Sequence, residues 1–94
     1  MGEFLVELYV SREDAAAVER GAERTRRAAE ELTREGTPVR FVRSIFVPED
    51  ETCFFLCEAV SAEAVREAAR RAALSFERVT EALAESGDEN RPCP

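Results

Sequence analysis

Residues 39–60 read VRFVRSIFVPEDETCFFLCEAV. Two runs rich in β-branched and aromatic side chains, 39–47 and 52–60, flank Pro48-Glu49-Asp50-Glu51. Such side chains suit a pleated, half-buried surface, and a proline beside acidic residues suits a tight reversal. The stretch therefore predicts a β-hairpin. A helical segment lies on each side of it, and a further strand lies beyond each helix.

Upstream, residues 3–10 alternate. Phe4, Val6, Leu8 and Val10 fall on one side and Glu3, Leu5, Glu7 and Tyr9 on the other. That is the period of a strand with one apolar and one mixed face. Ser11, three residues before Asp14, is the expected N-cap of a helix over 13–35, with Gly36 and Pro38 as stop signals. Ala15, Val18, Ala22, Thr25, Ala29 and Leu32 form its narrow inward stripe, and Glu23–Arg27 and Glu30–Arg34 are favourable pairs on its outer side. Downstream, Ser61 is placed to cap a helix over 62–73 with Ala62, Val65, Ala69 and Ala72 inward. A fourth strand is expected around 78–83. The order strand, helix, strand, strand, helix, strand specifies an α+β, ferredoxin-like βαββαβ sandwich: a four-stranded antiparallel sheet with two helices on one face. The expected domain covers 1–84, and the polar stretch 85–94 reads as a disordered acidic tail.

Composition narrows the functional classes. The 94 residues carry a formal net charge of −7, which argues against nucleic acid or an anionic membrane as partner. All 13 basic residues are arginine, and the Ala, Arg, Glu and Val richness suits a GC-rich coding sequence. Met1-Gly2-Glu3-Phe4 lacks the basic-then-apolar order of a signal peptide, and no run approaches the ~20 apolar residues of a membrane span. Three cysteines without framework spacing suit a reducing compartment, so a cytoplasmic location is expected.

A sheet with helices on one face leaves the other to be made polar or covered. On the reverse face the alternation puts Leu5, Glu7 and Tyr9 from the first strand and Phe54, Leu56 and Glu58 from the third. The preferred register of the second strand adds Phe41, Arg43 and Ile45, with Val42, Ser44 and Phe46 toward the helices; a slip of one residue exchanges the two sets. The reverse face is thus apolar with Glu7, Arg43 and Glu58 set into it. An apolar face of this kind calls for a homodimer made by packing sheet on sheet. Glu7, Tyr9, Phe41, Arg43, Phe54 and Glu58 would line the enclosed polar cavity as ligand-binding residues. The plainer alternative is that Glu7, Arg43 and Glu58 form a structural ion-pair network.

Other motifs are weak. Cys53 and Cys57 stand four residues apart in a strand, which separates them by ~13 Å, too far for a disulfide or a shared metal ion. They read as small core residues, and Cys93 as a free thiol in the tail. The absence of histidine excludes imidazole metal ligands and Ser-His or Cys-His catalysis. Arg66, Arg70 and Arg71 sit a turn after Glu63 and Glu67 and read as a self-paired solvated surface.

The run Val39-Arg40-Phe41-Val42-Arg43-Ser44, the pair Glu58-Ala59 and the run Val65-Arg66-Glu67-Ala68-Ala69-Arg70-Arg71 resemble a family of small bacterial proteins. That family is largely described as a domain of unknown function and includes an actinobacterial nickel-binding protein. The resemblance spans about residues 3–83 and implies a dimeric ferredoxin-like protein that binds or sequesters nickel. Many relatives carry histidine where this chain has Arg43 and Ala68, so the ligands best suited to nickel are missing here. Glu7 and Glu58 are the remaining metal-ligand candidates, with no cofactor strictly required. Three functions stay open on this reading. One is a dimeric binding protein for a divalent metal such as nickel or for a small molecule. Another is a small dimeric barrel enzyme with Glu7 or Glu58 as base and Arg43 as substrate anchor. The last is an interaction module that docks through the sheet face.

Overall fold

The computed structural model describes residues 1–83. The apolar side of the 3–10 alternation becomes β1 (Gly2–Tyr9), and the central hairpin becomes β2 (Val39–Val47) and β3 (Thr52–Ala59). Helices α1 (Ala16–Arg34) and α2 (Ala62–Arg71) follow β1 and β3, and β4 (Phe76–Ala82) closes the order. The sheet runs β2-β3-β1-β4 and every neighbouring pair is antiparallel. This is the ferredoxin-like α+β sandwich that the alternation and spacing lead one to expect. The expected 85–94 tail lies outside the described residues.

One face of the sheet is closed by the helices. Val6, Cys53, Phe55, Cys57 and Ala59 are fully buried there, with Phe4 and Leu8 close behind. The helices meet these side chains with small ones: Val18, Gly21, Ala22, Thr25, Ala28, Ala29 and Leu32 from α1, and Ala64, Val65, Ala68 and Ala69 from α2. Small residues let a helix axis approach the sheet, and the large strand side chains fill the space between. At Gly21 the helix comes close to the sheet, since a Cβ there would meet the Phe55 ring at 3.3 Å. Buried Thr25 is satisfied by donating from Oγ1 to the Gly21 carbonyl at 2.7 Å.

The helix ends show where local signals hold and where they yield. Ser61 Oγ accepts from the Ala64 backbone N–H at 3.2 Å, as a cap should. Ser11 does not cap α1: its Oγ accepts from Glu13 N–H and its carbonyl from Asp14 N–H, so it closes a turn. The helix begins only at Ala16, after Ala15, which offers no side-chain cap. Gly36 takes φ +102° beyond α1, while Thr37 N–H reaches back to the Leu32 carbonyl at 2.8 Å. The same closure ends α2, but there Ala73 holds the left-handed φ of 59° so that Leu74 N–H can reach the Ala69 carbonyl.

An alanine in that conformation costs about 1–2 kcal/mol that glycine avoids, offset by the greater freedom glycine has when unfolded. Ala73→Gly is therefore expected to leave stability unchanged or raise it by up to about 1 kcal/mol. By contrast, Phe55→Ala empties the centre of the core and should cost about 3–5 kcal/mol. Urea unfolding of both variants checks the pair of expectations.

Candidate functional site

Directly opposed residues in an antiparallel pair point to the same side of the sheet, so the register assigns the helix-free face row by row. Arg40, Glu58, Glu3 and Ala82 form the first row, and Arg43, Leu56, Leu5 and Thr80 the second. Ile45, Phe54, Glu7 and Arg78 form the third, and Val47, Thr52 and Tyr9 the last. The centre is an apolar band of Leu5, Phe54, Leu56 and Ile45, with Ile45 43% and Tyr9 61% exposed. Charge flanks this band at both ends.

The register corrects one assignment. Phe41 lies opposite Cys57, on the helix side, because Val42 is an extra residue that shifts the β2–β3 register between Phe41 and Arg43. There its ring packs edge-on against Phe55 with centroids 5.4 Å apart, and the Arg26 guanidinium sits 5.0 Å from its centre. The bulge also brings Arg40 onto the open face together with Arg43, an arrangement that uninterrupted alternation forbids. Arg43, Ile45, Ser44 and Phe46 fall on the sides expected for them.

Glu7, Arg43 and Glu58 share the open face but do not converge. Glu58 accepts from Arg40 Nε at 3.0 Å, and Glu7 accepts from Arg78 Nε at 2.8 Å. Glu7 faces Phe54, four residues before Glu58 on β3, which separates the two carboxylates by ~13 Å along the strand. Arg43 makes no ion pair or side-chain hydrogen bond among the described residues. Arg40 is held above the ordinary arginine pKa, chiefly by its hydrogen bond to Glu58, with Glu3 adding to the effect. Sequence reasoning missed Arg40, because nothing in the residue types announces the bulge. It also missed Arg78, because no face was assigned to the fourth strand.

A hollow of about 430 Å³ lies at the Tyr9 end of the sheet, lined by Glu7, Tyr9, Asp50, Glu51 and Arg78 among others. Two of its four carboxylates are engaged, while Asp50 and Glu77 make no side-chain hydrogen bond or ion pair among the described residues. Glu7 pairs with Arg78, and Glu51 accepts from the Arg12 backbone N–H at 3.0 Å. The basic residues of α2 are engaged too. Arg71 contacts Glu31, Glu35 and Glu67 at 3.0 Å each, and its hydrogen bonds hold the Glu35 and Glu67 carboxyls below their usual range.

A ferredoxin-like sandwich whose charge-flanked sheet face is left uncovered by the described residues is the class of protein this geometry defines. The chain belongs to the SCO4226-like family of nickel responsive proteins, whose pattern matches residues 4–82. Its fold is also similar to the crystal structure of SCO4226 from Streptomyces coelicolor A3(2). That match has a TM-score of 0.68 at 19% identity and covers 89% of this chain and 99% of the other. No curated protein matches the chain.

The family name raises nickel, and the donors among the described residues do not fit it. There is no histidine, and among the described residues no three His, Cys, Asp or Glu groups are placed to hold a metal ion. Cys53 and Cys57 are fully buried on the helix side, opposite Leu8 and Phe4. Burial pushes both thiols up to about 11, so neither offers a thiolate near neutrality.

Two expectations follow for the thiols. In Cys93→Ser protein, iodoacetamide at pH 8 should leave Cys53 and Cys57 unmodified until denaturant is added, as read by mass spectrometry. The unfolded thiols ionise near the ordinary value of about 9 and the folded ones near about 11, so the unfolded state loses protons first. Folding stability is therefore full below pH ~9 and falls as pH rises from ~9 to ~11, which urea titrations across that range would reveal.

Proposed function

We propose that this protein is a cytoplasmic homodimeric binding protein that covers its open sheet face with a second copy and holds a small organic ligand between the two. The observation that carries this reading is the apolar band Leu5, Phe54, Leu56 and Ile45 on the side of the sheet that no helix of the described residues covers. Burying such a band removes apolar surface from water at about 25 cal/mol per Å². A second copy is the partner whose face matches by symmetry. Tyr9 and Arg78 supply hydrogen-bond donors on the same face, so an organic molecule with an apolar body and an anionic or carbonyl end suits the enclosed space. A divalent cation suits it poorly, because the candidate carboxylates Glu7 and Glu58 are far apart and each is bound to an arginine.

Sedimentation velocity of the wild-type chain at 10–100 µM should show a dimer (concentrations of the order at which modest interfaces form). Leu56→Asp should raise the dimer dissociation constant by roughly a hundredfold while leaving the far-UV circular dichroism unchanged. A wild-type monomer throughout this range would overturn the reading. In isothermal titration, micromolar nickel should give no saturable heat. Saturable binding would restore the metal reading and displace the organic ligand.

A further inference from the structure

Each open face carries an unbalanced acid and an unbalanced base. Glu3 and Glu58 stand directly opposite one another on β1 and β3, a like-charge pair that disfavours the sheet. Arg40 bonds Glu58, and among the described residues Glu3 makes no ion pair. In the next row Arg43 has no carboxylate partner among the described residues, beside apolar Leu56 and two residues before Ile45. If the face is covered, both groups leave water, and a buried charge without a counter-ion is strongly unfavourable. One face therefore lacks a cation where its copy can supply one.

We propose that Arg43 of each protomer is the counter-ion of Glu3 in the other, so that two symmetric Arg43–Glu3 pairs bracket the apolar centre of the dimer. This rests on the homodimer reading above and adds its register. Arg43 lies on edge strand β2, while Glu3 lies two strands inward and one same-face step along, about 10 Å by 7 Å away at ordinary sheet spacings. A two-fold axis in the interface plane that superposes the two positions runs between Glu58 and Leu56 and on past Leu5. The same rotation stacks Leu56 and Leu5 near their own copies and, equally close across the axis, sets the Arg40–Glu58 pair beside its own copy, each Arg40 toward the other protomer's Glu58. It also crosses the strands of the two sheets closer to perpendicular than to aligned, one of the two usual ways that sheets pack. Apolar contact and charge pairing are met by one rotation. The Glu7–Arg78 pair at the far end is already neutral and needs nothing from the partner.

Charge reversal tests the pairing. Arg43→Glu and Glu3→Arg, each alone, should raise the dimer dissociation constant about tenfold or more, as a mispaired interfacial charge does. The double variant carrying both reversals should return to within about threefold of wild type, because the exchange restores opposite charges in both copies. Circular dichroism and urea unfolding of all three confirm that the fold is kept. A wild-type dimer whose double variant is no tighter than the weaker single variant overturns the pairing and leaves the homodimer standing. A wild-type chain that never dimerises overturns the homodimer itself, so the two failures are distinguishable.

Discussion

A four-stranded sheet has two faces, and this chain folds helices over one of them. That asymmetry governs the rest of the molecule. It fixes which residues of β3 vanish from water: Cys53, Phe55, Cys57 and Ala59 reach no solvent at all, while Phe54, Leu56 and Glu58 stay partly exposed between them. It also explains why the central strand reads as almost continuously apolar. A strand at the middle of a sheet must satisfy both faces, and among the described residues helices cover one of these.

The closed face is built by matching sizes. Alanines and one glycine on the helices meet phenylalanines and valines on the strands, so close approach replaces bulk on the helix side. Charge then ties the helix layer together at its edge. Arg24 donates from Nε to the Ala72 carbonyl at 2.8 Å, giving α2 a partner for its last turn, while Arg71 binds Glu31 of α1 and Glu35 just beyond its end. These exposed contacts add little energy individually, yet they set how the two helices lie side by side.

Membership of a nickel responsive family and the chemistry of this chain point in different directions. A family can keep its fold while individual members change the groups that meet a ligand, because the fold depends on buried apolar positions and the ligand on a few exposed ones. Here the apolar core falls within the residues the family matches, whereas the chain has no histidine and the cysteines among the described residues are buried. The charged groups on the open face are better matched to one another than to a cation.

Much of this was legible in the residues. Strict alternation over Phe4, Val6 and Leu8, the hairpin over 39–60 and Ser61 before α2 determine the element order and the sheet face that meets the helices. Such signals are local, written by neighbours within a few residues. The open face itself, carrying Leu5, Glu7, Phe54 and Glu58, could also be read from alternation alone. The pairing of its charges could not. One inserted residue, Val42, moves Phe41 into the core and brings Arg40 to Glu58. Glu7 finds Arg78, 71 positions along the chain, only because β4 docks beside β1. Alternation assigns a side chain to a face; which charge it meets there depends on register between strands, and register is set when the whole sheet packs.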